Sequence, residues 1–181
     1  MDDRALVDAT LAGDRQAFGL LVQRETRTVY RACLRILGRA HDAEDVTQES
    51  FVAAYRAIGT YRGEGSLQGW LLRIATRQAF RRLSQRRPNT DLTAVPEPFL
   101  ADSRTDPPGV LVAAERRDEL RAAVQALPDP YREIVALRFF AELSLAEVAD
   151  VTHRPINTVK TQLRRGLERL RPVLGEPGTD R

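Results

Sequence analysis

Three groups of side chains in this chain have the types and the spacing to do chemistry. The first is basic and lies near the C-terminus. Lys160, Thr161, Arg164 and Arg165, with Thr158 just before them, recur at the helical period opposite an apolar stripe of Val159, Leu163, Leu167 and Leu170. Cationic forks and hydroxyls on the outer face of one helix suit phosphates and base edges in a DNA major groove. The second group is a ridge of Arg73, Arg77 and Arg81 at successive four-residue steps. Between Arg62 and Arg87 there are seven arginines and no lysine against one acid, Glu64. The planar guanidinium pairs with phosphate oxygens in a fixed geometry that lysine lacks. Just upstream, Tyr61 and Arg62 are residue types that stack on or clamp an unpaired base, although a connector with a packed tyrosine fits them as well. The third group is acidic. Asp42, Asp45, Gln48 and Glu49 sit in a stretch with no basic residue, and the last three share one helix face. They suit either a solvated face near a helix N-terminus or a docking surface for a basic partner.

Other chemistries lack their residues. One cysteine and two distant histidines give neither a disulfide framework nor a metal site. No glycine-rich phosphate loop, paired catalytic carboxylates or Ser/Cys–His arrangement is present, so neither enzymatic activity nor a cofactor is expected. No apolar run approaches a membrane span, and the opening MDDRALVDAT lacks a signal peptide's basic-then-apolar order. The expectation is a soluble cytoplasmic protein without membrane insertion. Cys33 falls on an apolar stripe, where a small buried thiol is the expected role.

The elements that must position these groups are helices throughout. A short helix is expected from Asp3 to Ala12, then one capped by Asp14 and stopped by Gly38, carrying Phe18, Leu21, Val22, Val29, Cys33 and Ile36 inward. The acidic helix follows and is closed by Gly59; after the loop TYRGEGS, Ser66 caps the arginine-rich helix with Trp70 on its apolar side. Composition then changes: from Pro88 to Gly109 there are five prolines and four acids with no helical period, which marks a linker. Helical pattern resumes near Val110. Asp129 is expected to cap a helix with Pro130 in its first position, in which Ile134, Val135, Leu137 and Phe139 form an apolar floor. Above it, Ser144 and Glu147 make a capping box, Pro155 ends the short helix they start, and Asn157 is placed to cap the basic one. A short helix, a sharp turn and a basic helix form a helix-turn-helix. The fold class is therefore all-α: two small helical domains, 1–87 and 110–174, joined by a flexible linker over 88–109, with a tail over 175–181.

Taken together, DAEDVTQESFVAAYRAI (residues 42–58), YRGEGSLQGWLLRIA (61–75), ALPDPYREIVALRFFAELSLAEVAD (126–150) and INTVKTQLRRGLERLR (156–171) resemble the extracytoplasmic-function sigma factors of bacterial RNA polymerase. The resemblance covers nearly everything outside the linker and tails, and it implies roles at matching positions. Asp42, Asp45, Gln48 and Glu49 would dock on the clamp helices of the polymerase largest subunit. Tyr61, Arg62, Arg73, Arg77 and Arg81 would read and open the minus-10 promoter element. Thr158, Lys160, Thr161, Arg164 and Arg165 would read the minus-35 element. No cofactor is implied; an anti-sigma factor is an implied partner. The sequence departs from the family at Arg77, where Asn is usual, at Arg81, where Asp is common, and at Asn157, where Gly is frequent.

Two other readings fit part of the pattern. A stand-alone helix-turn-helix repressor or activator would use the N-terminal half for a ligand or for dimerisation. An interaction protein would use the basic helix on an acidic partner and never touch DNA. Neither needs an acidic helix directly before an arginine-rich one.

Overall fold

The computed structural model describes residues 2–85 and 107–174, with side chains for 2–85 and 115–174. The linker expected over 88–109 lies outside these residues except for 107–109, which open a helix, and the tail 175–181 lies outside them altogether. Among the described residues there is no strand.

The first module holds α1 (Asp3–Leu11), α2 (Arg15–Leu37), α3 (Ala40–Ala57) and α4 (Leu67–Gln85). Local signals set most of its boundaries. Asp14 accepts from the Gln16 and Ala17 N–H groups at the start of α2, and Gly38 ends that helix at φ 72°, a left-handed conformation costly to any residue with a Cβ. Helix α3 gives way to a 3₁₀ turn, Ile58–Thr60, so Gly59 sits inside a tightened last turn rather than beyond it. Helices α2, α3 and α4 pack on one another around Val29, Ile36, Val46, Ala54, Leu71 and Leu72. Cys33 lies in this core, fully buried, and burial pushes its thiol up to about 11, with a hydrogen bond to Thr47 pulling only weakly the other way. A thiol held protonated in apolar surroundings is a packing residue.

The second module holds α5 (Pro107–Ala126), α6 (Tyr131–Val135), α7 (Leu145–Thr152) and α8 (Ile156–Leu174), with a π turn (Ala136–Phe140) continuing α6. Helix α5 begins three residues before the expected Val110, at a Pro-Pro pair that suits a first turn because its missing N–H groups would be unpaired there anyway. Two expected caps are corrected. Pro130 is itself the cap of α6, and the Asp129 carboxylate pairs with Arg132 at 2.7 Å instead of bonding a helix N–H. Asn157 lies within the first turn of α8, whose leading N–H groups at Thr158 and Val159 bond to the Pro155 carbonyl. Phe139 faces out, 49% exposed, because the π turn rotates it off the floor that Ile134, Val135 and Leu137 make. The capping box forms as expected: Ser144 Oγ accepts from the Glu147 N–H, and the Glu147 carboxylate accepts from the Ser144 N–H at 2.8 Å. Those bonds hold the Glu147 carboxyl below its ordinary range.

The two modules pack against each other and share one core. Phe80 of α4 meets Phe140 edge-on at 6.0 Å, and Arg35 of α2 donates to the Phe140 carbonyl and pairs with Glu142. Arg121 of α5 donates to the Arg35 carbonyl at the end of α2.

Candidate nucleic-acid and protein interface

Helix α8 presents its basic face to solvent. It buries Val159, Gly166 and Leu170 and half-buries Leu163 and Leu167, leaving Thr158, Lys160, Thr161, Arg164 and Arg165 exposed on the far side. Thr161 Oγ1 donates back to the Asn157 carbonyl at 2.9 Å, and Arg164 pairs with Glu168 one turn on at 2.6 Å. Arg169 lies over the Tyr131 ring at 4.6 Å and so fastens the helix to α6. Gly166 allows the close approach: a Cβ there would stand 2.9 Å from Val135 Cγ2. The turn before α8 is made by His153, at φ 54°, not by Asn157.

The α4 ridge is less uniform than its spacing suggests. Arg77 and Arg81 are exposed, but Arg73 turns inward. Its Nε pairs with Glu133 of α6 at 2.9 Å, and its Nη1 donates to the Val151 carbonyl at the end of α7 at 2.8 Å. The same carboxylate accepts from Arg154 at 2.7 Å. Burial alone would raise the Glu133 carboxyl; the hydrogen bond and charge of Arg73, with the charges of Arg154 and Arg77, outweigh burial and hold it below the ordinary carboxylate range.

In the loop before α4, Arg62 is exposed at the tip, beside Gly63 at φ 75°. Tyr61 is half-buried: its hydroxyl donates to the Gly65 carbonyl at 2.8 Å and its ring lies 5.9 Å from Trp70. Burial, then the negative charges of Asp3 and Asp2, push its hydroxyl pKa up. Helix α1 holds this end of α4 in place. The Asp3 carboxylate accepts from the Leu67 N–H at 3.0 Å and from Arg24, adding a long-range cap to the local one from Ser66.

On α3, Gln48 and Glu49 are exposed and Asp45 is half so. Sequence reasoning missed their counter-ion. Arg82 of α4 reaches across to Asp42 and Asp45, 3.7 Å from each, and to Glu49. It also missed an apolar continuation of the face: Val52 and Tyr55 are 51% and 43% exposed, one and two turns beyond Gln48. The signal was present in the spacing, since positions 45, 48, 52 and 55 follow one helical stripe. Among the described residues, no three His, Cys, Asp or Glu side chains are grouped to hold a metal, and no helix is long and apolar enough to cross a membrane.

An all-helical chain with an acidic helix, an arginine-bearing helix and a helix-turn-helix is the two-module plan of sigma-70 proteins. Residues 21–88 match the family model of Sigma-70 region 2, and residues 117–170 match that of Sigma-70, region 4. The chain is 35% identical over 170 residues to the ECF RNA polymerase sigma factor SigW of Bacillus subtilis, covering 90% of this chain and 91% of that protein. It is 32% identical over 186 residues to the RNA polymerase sigma-H factor of Pseudomonas aeruginosa, covering 96% of each. Its fold resembles that of CnrH in complex with the cytosolic domain of CnrY, with a TM-score of 0.62 at 23% identity over 95% of this chain and 96% of that one. It also resembles the sigma factor RpoE bound to the anti-sigma factor NepR from Bartonella quintana, with a TM-score of 0.53 at 16% identity over 89% and 98%. The chain belongs to the extracytoplasmic-function sigma factors of bacterial RNA polymerase. It is thus a sigma subunit, a transcription initiation factor and not an enzyme.

Proposed function

We propose that the first module, through residue 87, docks on core polymerase and reads the minus-10 element, and that the second, 110–174, reads the minus-35 element. The observation that carries this division is that the three chemical faces lie on three different helices, α3, α4 and α8, each on a separate scaffold position. Asp45, Gln48 and Glu49 supply polar contacts to the clamp helices of the polymerase largest subunit. Val52 and Tyr55 extend that face with the apolar contact area a stable docking surface needs. Arg82 neutralises part of the acidic cluster and fixes its carboxylates.

Lys160, Thr161, Arg164 and Arg165, with Thr158 at the start of α8, enter the upstream major groove, each good base contact discriminating by about 1–3 kcal/mol. Arg62, Arg77 and Arg81 engage the downstream strand. Tyr61, folded onto Trp70, supplies a fixed wall rather than a free stacking ring. One weak reader at each element becomes one site when both ride on a single polymerase, through the effective concentration that the linker sets. An anti-sigma partner fits the same assignment, because the sigma factor RpoE, which shares this fold, is held in a complex with the anti-sigma factor NepR. A subunit that acts on polymerase and chromosome would do so in the cytoplasm, and that location is part of the same proposal.

The test is co-purification with core polymerase. The double variant Asp45→Ala/Glu49→Ala should lose core binding while keeping its helical signal, and Val52→Asp should do the same. Retained binding by all of them would refute the docking face.

A further inference from the structure

Asn157 has no structural duty in the place where the fold puts it. The leading N–H groups of α8, at Thr158 and Val159, are taken by the Pro155 carbonyl, so the Asn157 side chain does not cap them. It is exposed, and it lies on the side of the helix opposite the buried Val159, Gly166 and Leu170. Asparagine is also a weaker helix former than alanine. Neither capping, packing nor propensity accounts for it there. Positions 157, 161, 164 and 168 follow one helical stripe along the middle of the exposed side. Further along that stripe the polar groups are committed. Thr161 Oγ1 donates to the Asn157 main-chain carbonyl at 2.9 Å, and Arg164 pairs with Glu168 at 2.6 Å. On the flank, the Gln162 amide oxygen faces Arg154. Among the described residues, the Asn157 amide has no hydrogen-bond partner, so its oxygen and its NH2 group are both uncommitted.

We propose that Asn157 is a base-reading residue of the helix-turn-helix and that the base it reads is an adenine of the upstream element. The inference rests on α8 as the minus-35 reader. In a helix-turn-helix the N-terminal residues of the second helix reach the base edges, and Asn157 is the second residue of α8. Its carboxamide sets an acceptor oxygen beside an NH2 donor. In the major groove adenine presents the complement, an N6 amino donor beside the N7 acceptor. The two fit as a bidentate pair, with N6 donating to Asn157 Oδ1 and Asn157 Nδ2 donating to N7. Guanine offers two acceptors at these positions, so the amide oxygen would face O6 with no proton between them. Asn157 and Arg164 are separated by about 10 Å of helix axis, so they reach bases about three pairs apart and act on different positions of the element. Being neutral, Asn157 discriminates without displacing counter-ions, whereas its basic neighbours bind phosphates through charge.

The test gives core polymerase carrying the full chain a set of promoters randomised in the upstream element, and sequences the transcripts made with the unaltered chain, Asn157→Ala and Asn157→Asp. The unaltered chain should favour adenine at one upstream position by roughly tenfold, within the range for one good bidentate pair. Asn157→Ala should lose that preference and keep those at other positions, including the one that Arg164→Ala removes. Its salt dependence should be unchanged, because no charge is lost. Alanine favours the helix, so the variant should fold at least as well, which its denaturant midpoint checks. Asn157→Asp accepts but does not donate, and should move the preference from adenine to cytosine, whose N4 amino group donates. Replacing the favoured adenine by 7-deazaadenine, which lacks the N7 acceptor, should weaken the unaltered chain several-fold and leave Asn157→Ala unaffected. A preference profile that Asn157→Ala leaves unchanged overturns the proposal. So does an equal loss on all sequences, which would mark a phosphate contact or a structural role. If Arg164→Ala also alters no upstream preference, the minus-35 reading of α8 falls with it; if Arg164→Ala alters one and Asn157→Ala none, that reading stands and the adenine contact alone fails.

Discussion

Helices α4 and α8 carry arginines at the same four-residue spacing, yet their guanidinium groups are in different states. On α8 the basic side chains stand in solvent, and Arg164 pairs only within its own helix, with Glu168. On α4 the leading arginine is drawn into a network with Glu133, Arg154 and the Val151 carbonyl, while Arg77 and Arg81 stay outside. The same spacing therefore yields one basic face open to solvent and one that is half engaged. The difference lies in what packs alongside. Helix α8 packs its apolar side on α5, α6 and α7 and leaves its basic side bare, whereas α4 is covered along its first turns by α7.

Removing the partner of the engaged arginine is the most damaging way to probe this contrast. Glu133→Ala leaves Arg73 and Arg154 facing each other without their shared carboxylate, and should cost about 3 kcal/mol, in the range for breaking a partly buried ion pair. Denaturant unfolding measures it; a loss below about 1 kcal/mol would mean that Arg73 is not held, and the two helices would then be alike. The next largest effect is on the other side. Gly166→Leu forces a side chain into the 2.9 Å gap against Val135 and should cost about 2 kcal/mol through overpacking, with α8 shifted off α6. Unchanged stability would show that α8 is not anchored there.

The uneven legibility of these features in the sequence follows from how far apart in the chain their determinants lie. The all-α class, the helix-turn-helix, the Gly38 stop and the Ser144–Glu147 capping box each depend on residues within a turn or two of one another, and each can be read from type and spacing. The faces of α3 and α8 are legible for the same reason. Arg73 could not be told from Arg77 and Arg81, because its partner Glu133 is sixty positions away and only packing brings them together. Arg82 shows the same limit. It is adjacent to Arg81, but one residue of helix turns it by about 100°, away from the ridge and onto the acidic face of α3. The misplaced caps at Asp129 and Asn157 had the right residue types at the right distance; each lost to a competing local partner, Arg132 in one case and the Pro155 carbonyl in the other.

A gentler probe is acid. The Glu133 carboxyl is held below its ordinary value in the folded chain, so its pairing stabilises the protein fully above the ordinary carboxylate range and is lost as pH falls through the depressed value. Stability should therefore decline on acidification below about pH 4.5, and Glu133→Gln should flatten that part of the profile. The effect should be smaller than that of Glu133→Ala, since a neutral carboxyl still fills the space and accepts hydrogen bonds. A profile that Glu133→Gln leaves unchanged would assign the acid response to other carboxylates.

The smallest expected change in stability belongs to the exposed helix, and its smallness is the point. Arg164→Ala removes one surface pair with Glu168 and buries nothing, so unfolding should shift by no more than about 0.5 kcal/mol. Its effect on DNA should be out of proportion: polymerase carrying the variant should lose about 1–3 kcal/mol of upstream discrimination, with a shallower salt dependence if the contact is to phosphate. Arg73→Ala should show the opposite split, with measurable loss of stability in the free chain and little change in upstream discrimination. If both substitutions weakened stability equally, the arginines would be structural on both helices. If neither did, α4 would be as free as α8, and Arg73 would not be held by Glu133.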